Sequence, residues 1–472
     1  MNRIKTDVCV IGAGSGGLSV AAGAVQMGAD VVLLEGHKMG GDCLNYGCVP
    51  SKALLAAGKH AHAMTTGAPF GVKPVVPQVD YGAAKDHVRR VIAGIEPHDS
   101  VERFEALGVK VISDYGSFIS RREVQAGNTV IEARRFVIAT GSAPFVPPIP
   151  GLEDVRYYTN ENIFELREKP EHLIVIGGGP IGMEMAQAHV RLGCKVTVLE
   201  GFKALGKDDP ELAAIALERL RSEGVEIIEG AMASNITRTP AGIRIETKDG
   251  PNYEGSHLLM AVGRKPNVDR LNLRVAGIEP VRGGIKVDAQ MKTSNRRVYA
   301  IGDVAAGLQF THVAGYHAGV IIKSALFGLP SKANNAHIPW VTYTDPEIAQ
   351  VGLTEAQARE AYGDRLEITR FEYAENDRAR AELATTGLIK VMIVKGRPVG
   401  ASIVGAQAGE LIQVWALVIA NKLKIGAVAA MVSPYPTLGE INKRAAGAYY
   451  TPRLFENTLV KRIVRIVQKI GR

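Results

Sequence analysis

Cysteine is scarce in this chain of 472 residues, and its scarcity excludes one class of fold. The four cysteines are Cys9, Cys43, Cys48 and Cys194, too few for a secreted scaffold of this size that depends on disulfides. Cys9 and Cys194 fall in apolar, strand-like contexts, whereas Cys43 and Cys48 lie close together among glycines. Only the close pair therefore suggests chemistry.

Membrane-spanning and targeting segments are not apparent in the sequence either. The most apolar long stretch, LIQVWALVIANKLKIGAVAAMV, contains Asn421, Lys422 and Lys424, which are costly inside a bilayer. The opening residues MNRIKTDVCVIGAG lead straight into an apolar strand and a glycine loop, unlike a signal peptide. We therefore expect a cytoplasmic protein.

No stretch of the chain has a charge pattern typical of nucleic-acid binding. The formal net charge is +8, but basic and acidic residues alternate except near the C-terminus. Hydrophobic residues make up 46% of the chain and charged residues 22%, which excludes extensive disorder. We expect a folded protein of about two to four domains with no nucleic-acid partner.

One sequence pattern occurs twice, first in DVCVIGAGSGG…VVLLE and again in HLIVIGGGPIG…VTVLE. In both copies an apolar run leads into GxGxxG, a helical stretch follows, and a second apolar run ends in glutamate. Glu35 lies 23 residues after Gly12, and Glu200 lies 23 residues after Gly177. A lone GxGxxG is weak evidence, but this full pattern predicts two dinucleotide-binding units.

The glycines of each unit allow a tight turn and close approach of a pyrophosphate to a helix N-terminus. Glu35 would then hold ribose hydroxyls. Glu200 would repel a ribose 2′-phosphate and so favours NAD(H) over NADP(H), a preference that the nearby Lys203 and Lys207 weaken. The alternative is that the glycines serve packing alone. These glycines are Gly12, Gly14 and Gly17 in the first unit and Gly177, Gly179 and Gly182 in the second.

The segment GGDCLNYGCVPSK, residues 40–52, carries the close cysteine pair. In an ideal helix, residues five apart have Cα atoms ~8.6 Å apart, which is too far for a disulfide. We therefore predict a distorted segment, permitted by the poor helix formers Asn45 and Gly47, and a reducible Cys43–Cys48 disulfide. The alternatives are a pair of inert thiols or a zinc site, and the usual second pair of zinc ligands is absent, so we expect no resident metal.

Three further apolar runs each lead to a glycine turn, in RRFVIATGSAP, HLLMAVGRKPN and RRVYAIGDVAA. The last of these returns the chain to the first unit and presents Asp303 to ligand hydroxyl groups. After IPWVTYTDPE the glycine fingerprint is absent, which indicates a separate domain. The predicted boundaries are 1–152 and 279–337 for the first dinucleotide-binding domain with a central segment, 153–278 for the second dinucleotide-binding domain, and 338–472 for a C-terminal interface domain.

In its motifs and their order, the chain resembles the pyridine nucleotide-disulfide oxidoreductases, the family of dihydrolipoamide dehydrogenase, glutathione reductase and mercuric reductase. The resemblance implies an α/β fold with two Rossmann-like FAD- and NAD(P)-binding domains and a C-terminal α+β dimerisation domain. It also implies a homodimer that passes electrons from NAD(P)H through FAD and a disulfide to a small-molecule or metal-ion acceptor. The motifs are GAGSGG, GGDCLNYGCVPSK, ATGSAP, GGGPIGMEMA, AVGRKPN, AIGDVA and VTYTDPEIAQVGLTE.

The same resemblance assigns roles to individual residues. Cys48 would be the charge-transfer thiol against the flavin, and Cys43 the interchange thiol that meets the acceptor. Lys52 would lie near the reactive flavin nitrogen and pair with Glu184, where a cation stabilises reduced flavin. The alternative for these two is a role as surface charges. Further cofactor-binding positions implied by the motifs are Gly41, Thr140, Gly141, Gly263 and Asp303.

The chain departs from the family in the segment SPYPTLGE. Dihydrolipoamide dehydrogenase and glutathione reductase carry His-Pro-Thr there, contributed across the dimer, with a histidine acid/base. In this chain Tyr435 stands in the place of that histidine, and Glu440 remains. A tyrosine with an ordinary pKa of about 10 is a poor base at neutral pH, which argues against efficient dihydrolipoamide oxidation.

Mercuric reductase resembles the chain at this point, since it also has a tyrosine there. Its substrate is a metal ion already bound by thiolates, from which no proton has to be removed. However, its C-terminal cysteine pair has no counterpart in ENTLVKRIVRIVQKIGR, and no preceding metal-binding domain is expected. Asp42 also replaces the family's threonine before the first cysteine, where its charge would raise a thiol pKa. The hypotheses are a mercuric-reductase-like reductase, a dihydrolipoamide dehydrogenase, and a flavin-bearing redox sensor or binding protein.

The segment LVKRIVRIVQKIGR has the spacing of a basic amphipathic helix. Such a helix can bind an anionic membrane surface, but more often it docks on its own protein, which is what we expect for this chain. The basic residues are Lys461, Arg465, Lys469 and Arg472, opposite Ile463, Val464, Val467 and Ile470.

Overall fold

The computed structural model describes residues 2–240 and 242–470, which form two units. The first unit comprises residues 2–201 and 225–333, and the second comprises residues 202–224 and 334–470. Residues 202–224 thus group with the second unit, although the NAD(P)-binding domain was predicted to contain them. The domain boundaries near residues 152, 278 and 337 stay predictions.

The β-strands are numbered in chain order. They are β1 Asn2–Ile11, β2 Val31–Leu34, β3 Lys110–Ile112, β4 Gly116–Phe118, β5 Glu123–Ala126, β6 Thr129–Ile138, β7 Ser142–Pro144, β8 His172–Ile176, β9 Lys195–Glu200, β10 Val225–Glu229, β11 Ala233–Thr239, β12 Gly242–Thr247, β13 Tyr253–Gly255, β14 His257–Met260, β15 Arg264–Pro266, β16 Pro280–Val281, β17 Gly284–Ile285, β18 Val298–Ala300, β19 Pro339–Thr342, β20 Glu347–Gly352, β21 Leu366–Glu372, β22 Leu388–Val394 and β23 Arg397–Gly405.

The α-helices are numbered in the same way. They are α1 Ser15–Gln26, α2 Gly41–Asn45, α3 Cys48–Ala63, α4 Tyr81–Ile95, α5 Val101–Ala106, α6 Pro180–Arg191, α7 Pro210–Ser222, α8 Thr311–Ile321, α9 Glu355–Tyr362, α10 Asp377–Ala381, α11 Ala408–Leu411, α12 Gln413–Ala420, α13 Gly426–Ala429, α14 Glu440–Ala448, α15 Thr451–Phe455 and α16 Thr458–Ile470.

The first nucleotide-binding motif lies on a sheet of strand order β3-β2-β1-β6-β5-β4. Strands β1, β2, β3 and β6 pair in parallel, and β18 adds to β6 in parallel. The chain therefore returns to this sheet at β18, as RRVYAIGDVAA predicted. Strand β1 ends in four consecutive buried residues, because helices cover both faces of a parallel sheet.

The second motif lies on a parallel sheet of order β10-β9-β8-β14, beside an antiparallel β11-β12-β13 sheet. A short antiparallel ribbon joins β7 to β15, so the segments ATGSAP and AVGRKPN lie side by side. The α/β class with two Rossmann-like sheets is confirmed.

The second unit is built on an antiparallel sheet of order β19-β20-β23-β22-β21. Its apolar core joins the sheet to helices α11, α12 and α14 and includes the fully buried Trp415. The Trp415 indole donates to Asn442 Oδ1 at 2.7 Å, which satisfies its polar N–H. Within the part of the chain described, no helix is both long and apolar enough to cross a bilayer.

The expectation that the basic helix docks on its own chain is wrong for the described residues. Apart from the half-buried Val460, every residue of α16 is exposed, including both its apolar and its basic positions. Arg472, which was assigned to the same basic face, lies outside the described residues. The helical periodicity itself is confirmed.

A buried cation helps to hold the second unit together. Lys390 on β22 has a side chain only 3% exposed, and its Nζ lies 2.6 Å from Asp209, 2.9 Å from Glu355 and 3.1 Å from Glu211. Asp209 is equally buried and also caps α7 by accepting from the Glu211 N–H. These contacts tie α7 and α9 to the sheet.

Replacing Lys390 with methionine should destabilise the second unit, because it leaves the carboxylate of Asp209 buried without its cation. We expect a loss of about 3–5 kcal/mol in unfolding free energy. The matched control Arg378→Met removes an exposed i,i+4 ion pair with Glu382 and should cost only about 0–1 kcal/mol.

Urea unfolding followed by tryptophan fluorescence measures this effect, because the two tryptophans of the chain, Trp340 and Trp415, both lie in the second unit. Equal losses for the two variants would show that the buried network adds nothing beyond a surface pair.

Candidate active site

The first glycine loop connects β1 to α1. Gly12 has φ +103°, and a Cβ at Gly17 would overlap the carbonyl oxygen of Gly12, so the loop and helix approach closely. Gly14 caps α1 in an extended conformation without a side-chain cap. The first turn of α1 therefore offers backbone N–H groups to an anion, as a dinucleotide pyrophosphate requires.

Each repeat ties its strand-end glutamate to its glycine loop. Glu35 Oε2 accepts from Ala13 N at 2.7 Å, and Glu200 Oε2 accepts from Gly178 N at 2.6 Å. The two contacts occupy equivalent positions, one residue after the first glycine of each motif. These carboxylates thus hold the loops in shape, in addition to the ribose contacts predicted for them.

The second loop, between β8 and α6, repeats the geometry of the first. Gly177 has φ +112°, Gly179 caps α6 in an extended conformation, and Gly182 packs against the carbonyl of Gly177. The structure thus contains two helix N-termini of the same build, each beside a glutamate.

The other predicted cofactor positions lie at the ends of the strands. Gly41 begins α2 against Gly14, and Gly263 follows β14. Thr140 donates to the carbonyl of Asn267 at 2.7 Å, which tethers the turn of Thr140 and Gly141 to AVGRKPN.

Asp303 is the remaining cofactor position, directly after β18. Its Oδ2 accepts from Ser142 at 2.6 Å, and burial raises the pKa of its carboxyl. Three features at this edge of the sheet fit FAD. They are the N-terminus of α1, the close backbone approach that the glycines allow, and the carboxylates of Glu35 and Asp303. Bound there, FAD would supply two-electron transfer chemistry.

The cysteine segment is broken, as predicted. Helix α2 ends at Asn45, Tyr46 and Gly47 leave the helical conformation, and α3 begins at Cys48. The side-chain amide of Asn45 closes the first helix by donating to the carbonyl groups of Met39 and Gly41 at 2.9 Å. The break brings the Cys43 and Cys48 thiols within hydrogen-bonding distance of each other.

The two thiols are unequal. The pKa of Cys48 is lowered to about 6, first by a hydrogen bond with Cys43 and then by the Thr311 hydroxyl and the charge of Lys52, against the opposing effect of burial. The same hydrogen bond and burial raise the pKa of Cys43. These shifts favour Cys48 over Cys43 as the thiolate of the reduced pair, and the predicted contact of Cys48 with the flavin stays a prediction. The structure holds the pair as thiols, so the disulfide stays a prediction.

The predicted Lys52–Glu184 ion pair is present. Lys52 lies one turn after Cys48 on α3, and its Nζ is 2.8 Å from Oε2 of Glu184, which is buried on α6. The interpretation of these residues as unrelated surface charges is wrong, because Glu184 is buried and its carboxylate forms an ion pair with Lys52. Lys52 thus holds a fixed positive charge next to the thiol pair.

Asp42 is held by a polar network centred on Arg264. Its Oδ1 lies 3.1 Å from Arg264 Nη2 and accepts from Asn160 Nδ2 at 3.0 Å. Arg264 also donates to Ser142 Oγ at 2.7 Å and lies 3.7 Å from Asp303. The charge of Asp42 raises the pKa of both thiols, as predicted, but it is the smallest of the contributions at Cys48.

Tyr435 and Glu440 lie in the second unit, in the segment that leads into α14. Tyr435 is 70% exposed, and its hydroxyl donates to Asp377 Oδ2 at 3.1 Å. This hydrogen bond raises the pKa of Tyr435 above its ordinary value of about 10, at which a phenol is already protonated at neutral pH. Glu440 is half-buried at the first position of α14.

Sequence reasoning missed three side chains of the site. Thr311, the first residue of α8, places its hydroxyl 3.4 Å from Cys48 Sγ, although 263 residues separate the two. Arg264 lies in AVGRKPN and was not singled out, and Asn160 lies in no motif. Arg264 could have been found, because an arginine in a motif beside predicted carboxylates is a natural ion-pair partner, whereas nothing in the sequence pointed to Thr311 or Asn160.

Comparison with known proteins gives the same family from two matches. The family model described as pyridine nucleotide-disulphide oxidoreductase matches residues 6–318, and the dimerisation domain of that family matches residues 338–446. The chain belongs to the pyridine nucleotide-disulphide oxidoreductases. Members of this family are FAD-dependent enzymes that use a pyridine nucleotide, and the dimerisation domain indicates a homodimer.

Relatives with different named activities are similarly close. The chain is 34% identical to a mercuric reductase of Bacillus cereus over 92% of its own length and 70% of that protein. It is 33% identical to a dihydrolipoyl dehydrogenase of Geobacillus stearothermophilus, covering 94% and 96% of the two chains. A Cu(II) complex of the HOCl-induced flavoprotein disulfide reductase RclA from Escherichia coli superposes with a TM-score of 0.84 at 26% identity, covering 93% and 99%.

In the reduced protein, charge-transfer absorbance between Cys48 thiolate and the flavin should increase with pH, with a midpoint near 6, because the pKa of Cys48 is about 6. Lys52→Met should move this midpoint to higher pH, since the lost cation stabilised the thiolate. Lys59→Met, which removes an exposed cation from the same helix, should leave it unchanged. An anaerobic pH titration of the absorbance measures both effects, and equal midpoints in the two variants would contradict the assignment.

Proposed function

We propose that the protein is an NAD(P)H-dependent reductase in which the Cys43–Cys48 pair reduces a metal ion bound by thiolates. The observation that carries this proposal is the phenol of Tyr435, which donates a hydrogen bond to Asp377 and stands protonated at neutral pH where the family resemblance places a base. A dithiol substrate must lose a proton before it can attack a disulfide. A metal ion whose thiol ligands are already deprotonated needs no such base. The site therefore suits a metal acceptor better than a dithiol.

The net reaction balances in two halves. NAD(P)H supplies a hydride and the medium supplies one proton, so that the disulfide gains two electrons and two protons and becomes two thiols. The thiols then pass two electrons to one metal ion that accepts both, such as Hg(II), and they re-form the S–S bond and release two protons. The thiolate ligands that leave the metal take up these protons. Cys48 enters the second half as the thiolate, because its pKa lies below neutral pH, while Cys43 meets the acceptor.

The remaining residues of the site position groups and charges. Lys52 holds positive charge beside Cys48, and the buried Glu184 fixes that charge in place. Thr311 orients Cys48 through its hydroxyl. Asp42, through Arg264 and Asn160, fixes the first turn of α2 and with it the backbone that carries Cys43.

For the nucleotide, we propose NADH as the preferred donor. Glu200 directs its carboxylate to the glycine loop of the second motif, where it would repel a 2′-phosphate.

The named activities of the relatives support a reductase and also leave a second candidate. The likeness to dihydrolipoyl dehydrogenase over 96% of that protein, together with the retained Glu440, favours NAD-dependent dithiol oxidation. A flavin redox sensor without turnover is the third hypothesis, and the complete set of Cys43, Cys48, Lys52 and Glu184 argues against it.

The cysteine variants test the main proposal. Cys43→Ser and Cys48→Ser should each retain bound FAD and lose turnover by at least about a hundredfold, because neither can re-form the disulfide. Cys194→Ala should retain activity, since Cys194 is buried away from the pair. The measurement is anaerobic oxidation of NADH, or of NADPH, with glutathione-bound Hg(II) as the acceptor. Unchanged metal reduction in both serine variants would disprove the disulfide mechanism.

Tyr435→His tests the choice between metal and dithiol. The natural protein should oxidise dihydrolipoamide slowly, and the histidine variant should do so roughly 10²–10⁴-fold faster, because a positioned general base contributes about that factor. Tyr435→Phe is the matched control and should show no such gain. Rapid NAD-dependent oxidation by the natural protein would instead support the dihydrolipoyl dehydrogenase hypothesis.

A further inference from the structure

Helix α16 has two chemically distinct faces. At 100° per residue, its seven aliphatic residues cover less than half of the circumference, and its polar residues cover the opposite side. The aliphatic face consists of Leu459, Val460, Ile463, Val464, Ile466, Val467 and Ile470, and the polar face of Lys461, Arg462, Arg465, Gln468 and Lys469.

The aliphatic face of α16 is exposed. Ile463 is 51% exposed, Val467 58% and Ile470 78%, and the adjoining helix α15 adds Leu454 at 48% and Phe455 at 69%. Large contiguous apolar surfaces of this kind on a folded protein mark a contact with a partner or a lipid surface. No described residue of the chain covers this face.

The helix is nevertheless formed and attached. The side-chain oxygen of Asn457 accepts from the Leu459 and Val460 N–H groups at 3.0 and 3.3 Å and so caps its first turn. On the preceding α15, Arg453 forms an ion pair with Glu367 and lies 3.6 Å from the ring centroid of Tyr449. The face is therefore presented from a fixed base on the second unit.

The net positive charge of the α16 segment favours a negatively charged partner. Residues 457–472 contain five basic and no acidic residues. Outside this segment the chain has 51 lysines and arginines against 48 aspartates and glutamates. A second copy of the chain would therefore offer the basic helix a partner that is itself slightly positive. Electrostatics thus disfavours a second copy of this chain and favours an anionic surface.

The length of the helix agrees with a position in the plane of a membrane. A helix of 13 residues is about 20 Å long, too short to span a bilayer. A strongly amphipathic helix with lysine and arginine on its polar face lies in the interface, where its aliphatic side chains enter the acyl boundary. The long basic side chains extend to the headgroups.

We propose that α16 attaches this protein to the surface of an anionic phospholipid bilayer. The aliphatic face inserts at the level of the acyl boundary, and the basic face binds anionic headgroups. Attachment is reversible, because a single interfacial helix does not insert permanently. This proposal does not depend on the acceptor or on the disulfide mechanism.

The test is flotation of the FAD-loaded protein with vesicles of phosphatidylcholine alone or of phosphatidylcholine mixed with phosphatidylglycerol. The protein should float with the anionic vesicles and remain behind with the neutral ones. The double variant Arg465→Gln with Lys469→Gln should weaken binding roughly tenfold or more, while glutamine preserves the helix. A second double variant, Ile463→Asp with Val467→Asp, should abolish binding.

The matched control removes two exposed basic residues from the first unit, Lys5→Gln with Arg134→Gln, and should bind vesicles like the natural protein. Sedimentation velocity of each variant follows its oligomeric state. Equal weakening by the control or equal binding of the natural protein to neutral vesicles would overturn the proposal. So would loss of the dimer in the aspartate variant together with a natural protein that binds no vesicles. The last outcome would assign the face to a second copy of the chain.

Discussion

The arrangement of the site depends on one interruption in a helix. If residues 41–63 formed a continuous α-helix, the Cα atoms of Cys43 and Cys48 would lie ~8.6 Å apart on different sides, and their sulfurs could not meet. The non-helical Tyr46 and Gly47 end one helix and start another, which brings the thiols within hydrogen-bonding distance. Because Lys52 follows Cys48 by one helical turn, the same interruption also sets where the cation lies.

The interruption is held from outside its own segment. Asn160 donates both to Asp42 and to the carbonyl of Tyr46, so one amide spans the break. Arg264 joins Asp42 to Ser142 and Asp303 and thus links the cysteine segment to two strand ends. Among the effects on the thiol pKa values, that of the Asp42 charge is the smallest.

Two structural features support the two proposals made for this protein. The phenol of Tyr435 is occupied by Asp377 and stays protonated, so the second unit offers a hydrogen-bond donor rather than a base. The basic helix α16 lies outside the packed core of its unit and presents aliphatic side chains to solvent. The first feature supports the proposed metal acceptor, and the second supports the proposed attachment to a membrane surface.

The sequence by itself determined the two nucleotide-binding units and the distorted cysteine segment, because glycine at close approaches and the period of a helix are local rules that can be read without knowing the tertiary fold. The Lys52–Glu184 pair joins residues 132 apart and was predicted only through the family resemblance that the motifs carry. Only the tertiary structure decided that Thr311 contacts Cys48, that Arg264 and Asn160 hold Asp42, and that α16 is left uncovered by the described chain. Such contacts join residues far apart in the chain, and burial of a helix face depends on what packs against it, which no local pattern records.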